Sequence, residues 1–86
     1  METPPPEGTI AINVDGATFK DTYESGWGII ALTTQKEVRL AVNGTLPGIW
    51  SPIMIEAYAI ASALTNVAAF GNAPIEIRSD ALFLVI

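Results

Sequence analysis

The stretch from Ser51 to Pro74 constrains the fold more than any other part of the chain. Ser51-Pro52 offers a hydroxyl N-cap and a proline at the first helical position, where its missing N–H costs nothing. Ile53, Ala57, Ile60, Ala61, Leu64, Val67 and Ala68 then recur at spacings of three and four, the period of a helix with one apolar stripe. Phe70-Gly71-Asn72 supplies a glycine stop, and Pro74 blocks continuation. A helix of this length with strand-like sequence on both sides crosses over between strands of one sheet, so the chain reads as an α/β domain.

The flanks fill in the sheet. Ile10, Ile12 and Val14 alternate with Ala11, Asn13 and Asp15, which is the period of a strand, and Asp15-Gly16 closes it. A polar loop through Lys20, Asp21 and Glu24 leads to a second strand at Gly26–Leu32, a turn at Thr34-Gln35-Lys36, and a third strand at Val38–Val42. These three form an antiparallel meander. After the helix, Ile75–Arg78 is a fourth strand, and Ser79 or Asp80 starts a second helix on which Leu82, Val85 and Ile86 are apolar. Pro4-Pro5-Pro6 makes residues 1–8 a stiff lead-in, leaving 9–86 as one domain, all that 86 residues allow.

Composition excludes several chemistries. With no cysteine there is no disulfide, thiolate zinc site or Cys nucleophile, and with no histidine there is no Ser-His-Asp chemistry. What remains is carboxylates, hydroxyls and hard, oxygen-ligated cations. The net charge of −5 argues against a broad basic face for nucleic acid. No signal peptide or membrane span is legible, so the expectation is a soluble intracellular protein, with nucleus and cytoplasm both open. Asn43-Gly44-Thr45 matches a glycosylation sequon but reads as a strand end entering a turn.

Between Arg39 and Glu76 the only charged residue is Glu56, inside the long helix. At about 100° per residue it lies about 40° from Ile60 and about 20° from Val67, at the border of the apolar stripe. Two readings stand: acidic charge favoured by the helix N-terminus, or an inward carboxylate with a chemical task. Asp15 and Asp80 close the first and fourth strands, at carboxyl ends where open α/β sheets place ligands. Singly, Asp15-Gly16 reads as a turn and Asp80 as an N-cap. Jointly, the three carboxylates match what two divalent cations need to activate water and hold a phosphodiester. Gly16 is first a turn glycine with positive φ and second a place for a sugar-phosphate backbone to approach. Asn13 shares the strand face of Asp15 and is a weak candidate for substrate contact. Trp27 and Trp50 are read as packing residues before base-stacking ones.

Ile12-Asn13-Val14-Asp15-Gly16-Ala17, Gly26-Trp27-Gly28, Glu56-Ala57-Tyr58-Ala59 and Ser79-Asp80-Ala81 together resemble the ribonuclease H-like domains of plants, related to non-LTR retrotransposon reverse transcriptases. The Pro4–Gly8 lead-in is similar to one such domains carry. The resemblance implies a mixed sheet with the fourth strand parallel to the first. It also implies endonucleolytic cleavage of the RNA strand of an RNA–DNA hybrid by two Mg²⁺ ions, for which Mn²⁺ substitutes. Asp15 would bridge both metals, with Glu56 and Asp80 on the flanking positions. It further implies later helices, a fifth strand, a fourth acidic ligand and, in many members, a mobile histidine, so the chain reads as C-terminally truncated. The alternative is a non-catalytic fragment or binding module, dependent on a protein partner that covers the apolar Phe83–Ile86 end. A sugar-kinase or actin-like ATPase is disfavoured because Asp15 and Gly16 are adjacent rather than spaced as Asp-x-Gly.

Overall fold

A computed structural model describes residues 5–79 in full and the backbone of 83–85. Its elements are β1 (Ile10–Phe19), β2 (Glu24–Leu32), β3 (Val38–Pro47), α1 (Pro52–Thr65), a 3-10 turn at Val67–Phe70, β4 (Ile75–Arg78) and β5 (Phe83–Val85). The sheet order is β3-β2-β1-β4-β5. The meander and the parallel β1–β4 pair are as expected. β3 and β4 run the same way with two strands between them, so a crossover must join them, and α1 provides it by lying over β1 and β2.

One face of the sheet carries the core. Ile10, Ile12 and Val14 of β1, Ile29 and Ala31 of β2, and Ile75 and Ile77 of β4 are buried there against Ala59 and Ala63 of α1. The two alanines let the helix axis approach the sheet closely. Ser51 caps α1 as expected, its Oγ accepting from the Met54 N–H at 3.3 Å.

Several boundaries differ from expectation. Asp15-Gly16 does not end β1: pairing continues through Gly16↔Trp27 and Ala17↔Gly26 to Phe19↔Glu24, and the chain reverses at 20–23 with Tyr23 at φ 56°. Gly16 is therefore a strand residue without positive φ. β3 runs five residues past Val42, placing Asn43 and Thr45 within a strand, and Gly48 at φ 92° turns the chain afterwards. The helix stops at Thr65, where Thr65 Oγ1 and Asn66 Nδ2 donate to the Ser62 carbonyl at 2.7 and 2.9 Å and compete with the main-chain ladder.

The inward face of α1 is also rotated from the expected stripe by roughly a third of a turn. Ile55, Glu56, Ala59 and Ala63 are buried, whereas Ile53 is 71% exposed and Leu64 42%. The helix is apolar around most of its circumference, so periodicity alone does not select a face.

The expected second helix is not formed at Phe83–Val85. This segment is a strand, antiparallel to β4 through Glu76↔Val85, Ile77↔Leu84 and Arg78↔Phe83. This strand follows β4 directly, with no helix between them among the described residues, so it is not the fifth strand that the resemblance implies beyond later helices. A short apolar run carries no period to separate strand from helix, and the outer edge of β4 offers unpaired backbone groups that β5 satisfies. The helix start expected at Asp80 lies outside the described residues. Among the described residues no helix is long and apolar enough to cross a membrane.

Candidate functional site

Two of the three expected carboxylates stand on elements that meet. At Gly16 an added Cβ would lie 2.4 Å from Ile55 Cγ2, so the missing side chain of β1 is the notch that receives Ile55 of α1. This contact sets the rotation of the helix, and Glu56, the next residue, falls on its buried side. Glu56 is only 8% exposed, and its Oε2 is fully buried with no hydrogen-bond partner among the described residues. A carboxylate oxygen out of water without a donor or cation is costly, so its retention points to a ligand.

Asp15 is placed differently. Strand alternation puts it, with Asn13 and Ala17, on the face opposite α1, and it is exposed. Its Oδ1 accepts from the Gly16 N–H at 2.8 Å. The β1–β4 ladder ends at Asn13↔Arg78, so Asp15 stands two residues past the last paired rung. Asp80, the third expected ligand, lies outside the described residues; by sequence it is two residues past Arg78. Among the described residues no group of three potential ligands converges.

Around Asp15 the open face is hollowed. Gly26 and Gly28 of β2 leave a shallow depression of about 580 Å³ whose wall includes Asp15, Asn43 and Thr45. Asn13, Asp15, Gly28 and Asn43 line a second hollow of about 300 Å³ beside it. Asn43 and Thr45 were not singled out as site residues from sequence; their signal is the strand alternation that continues past Val42. The weak candidate Asn13 is exposed on this face, while Gly16 serves the helix contact.

The tryptophans pack. Trp27 and Trp50 each meet Tyr58 edge-on, with ring centroids 5.6 and 6.0 Å away, so the aromatic side of α1 is held to β2. Gly44, cross-strand from Trp27, makes room for the indole: a Cβ there would sit 2.9 Å from Trp27 Cζ2. Sequence reasoning missed Ser25. Its buried hydroxyl donates to the Gly48 carbonyl and accepts from the Trp50 N–H, both at 2.9 Å, fixing the loop that starts α1. A lone serine in a strand gives no signal of this role.

The sheet order, the antiparallel meander and the crossover helix define a ribonuclease H-like fold. No family model and no curated protein matches the chain. Among solved structures, it is similar to LC11-RNase H1 isolated from compost by a metagenomic approach, with TM-score 0.71 and 21% identity over 85% of this chain and 54% of that one. The same enzyme in complex with an RNA/DNA hybrid gives TM-score 0.70 and 20% identity, covering 83% and 54%. RNase H1 from the halophilic archaeon Halobacterium salinarum NRC-1 gives 0.68 and 24%, covering 84% and 54%. At these identities the likeness establishes the fold. The chain spans about half the length of the structures it matches.

Proposed function

We propose that this chain is a nucleic-acid-binding ribonuclease H-like domain whose carboxylates Asp15, Glu56 and Asp80 serve hydrolysis of the RNA strand of an RNA–DNA hybrid. The observation that carries the reading is the buried Oε2 of Glu56, without a hydrogen-bond partner among the described residues, on the helix turn that Gly16 brings against β1. An all-oxygen donor set with one desolvated, unsatisfied oxygen fits a hard divalent cation such as Mg²⁺ or Mn²⁺. To hold it, Glu56 from the helix side and Asp15 from the open face would have to meet with Asp80 beyond the last β1–β4 rung, and such a cation supplies an activated water and charge neutralisation at a phosphodiester. Two such ions bring four positive charges against the chain's −5, which removes most of the repulsion toward a polyanion. The open-face hollow beside Asp15 would receive the sugar-phosphate backbone, with Asn13, Asn43 and Thr45 as hydrogen-bonding groups. The plant and retrotransposon relation rests on the sequence resemblance.

The test compares the chain with Asp15→Asn on a labelled RNA–DNA hybrid in Mg²⁺. Metal-dependent cutting of the RNA strand that disappears in the variant is the expected result, and equal cutting by both proteins would overturn the assignment. A second reading is a binding module without nuclease activity, for which the open-face hollows with Asn13, Asn43 and Thr45 suffice. It predicts hybrid binding with no cutting by either protein.

A further inference from the structure

At the far end of the open face, two of the chain's four cationic side chains meet in one cavity. It measures about 300 Å³ and lies between the start of β1 and the β2–β3 turn, lined by Thr9, Ala11, Thr33, Lys36 and Arg78 among others. In a protein of net charge −5 this convergence is notable, because nothing in the composition favours it.

The donor inventory sets the sign of the ligand. Thr33 Oγ1 already accepts the Gln35 and Glu37 N–H groups at 3.2 and 3.1 Å, so its proton is what the hydroxyl has left to offer. Arg78 pairs through Nε with Glu76, which leaves the paired Nη groups of its guanidinium as donors. Lys36 adds an ammonium from the turn, where its backbone N–H donates to the Thr33 carbonyl at 3.0 Å and its φ is 67°. Glu76 offsets one of the two positive charges, and neither Glu7 nor Glu37 lines the cavity. Among the described residues this leaves one net positive charge surrounded by donors, which suits an oxyanion and disfavours a cation.

From these contacts we infer that the Thr33–Lys36–Arg78 cavity is a phosphate-binding site. Its placement suggests the source. Ala11 lines the cavity and Asp15 is four residues further along β1 on the same face, about 13 Å away at strand rise. Asn13, between them, pairs in register with Arg78. A nucleic-acid strand running along β1 would place one phosphate in the cavity while another part lies at Asp15. The anion site stands on its own contacts; its reading as a backbone contact rests on the proposed function.

Amide chemical shifts of the whole chain, titrated with inorganic phosphate and separately with a short RNA–DNA hybrid, test it. Both ligands are expected to shift the amides of Thr33, Lys36 and Arg78. Lys36→Gln should weaken hybrid binding about threefold to tenfold and flatten its salt dependence by about one phosphate contact, with Lys36→Arg restoring both. Shifts with inorganic phosphate alone support the site and assign it to small phosphates. A hybrid that binds and shifts Asn13 and Asn43 but leaves Thr33 and Lys36 unmoved, with no response to phosphate, overturns this site and spares the proposed function. If the chain binds no hybrid, that function fails, and the phosphate arm still decides the cavity.

Discussion

The two faces of the sheet are made by the same strands and are built on opposite principles. On the helix side, Ile12, Val14, Ile29 and Ile77 are closed over by Ala59 and Ala63, and nearly every position is apolar. On the other side, Asn13, Asp15, Gly26, Gly28, Asn43 and Thr45 leave shallow hollows with hydrogen-bonding walls. The difference teaches where stability and chemistry reside: the first face holds the fold together, and the second is free to be specialised because little packing depends on it. Glu56 breaks the division, since it is a charged group on the closed side.

The contrast can be broken in four places. Ile77→Ala, at a site with no solvent exposure, should cost about 2–5 kcal/mol in urea unfolding, the largest effect of the set. Gly16→Ala comes next, at about 1–3 kcal/mol, because its methyl group would collide with Ile55 and push α1 off the sheet. The same variant should weaken the response to Mg²⁺, since the helix carries Glu56; a Gly16→Ala protein as stable as the parent would show that the helix is not seated in this notch.

Glu56→Gln should act in the opposite direction. Removing charge from a buried oxygen that has no partner among the described residues should raise the metal-free melting midpoint, a gain on the order of 1 kcal/mol. In the parent chain millimolar Mg²⁺ or Mn²⁺ should raise the midpoint, and in the variant it should not. An unchanged midpoint in the parent would count against an assembled metal site. Asn43→Ala should be the mildest for the fold, within about 0.5 kcal/mol, while weakening hybrid binding about threefold to tenfold. If Asn43→Ala destabilised as much as Ile77→Ala, the two faces would not be distinct.

Much of this was legible in the residues, and the failures are instructive. The Ser51 cap, the crossover helix and the alternation in β1 were readable because each is a local signal. Asp15-Gly16 misled because the pair is a turn signal by composition, whereas here the glycine is required by the approach of Ile55 from 39 residues further along the chain. Phe83–Val85 misled because three apolar residues carry no period, and the free edge of β4 decided their state. The open-face residues Asn43 and Thr45 became visible as site residues only when β3 was seen to continue to Pro47.

The sequence by itself determined the order of elements as far as β4, the exclusion of thiol and imidazole chemistry, and the isolation of Glu56 as the one charge between Arg39 and Glu76. Local patterning suffices for these, since periodicity, capping and residue inventory need no partner. Only the tertiary structure decided which way α1 faces, because a helix apolar on most sides takes its orientation from the surface it meets. That orientation, set by Ile55 in the space that Gly16 leaves, is what buries a carboxylate oxygen of Glu56 with no hydrogen-bond partner among the described residues.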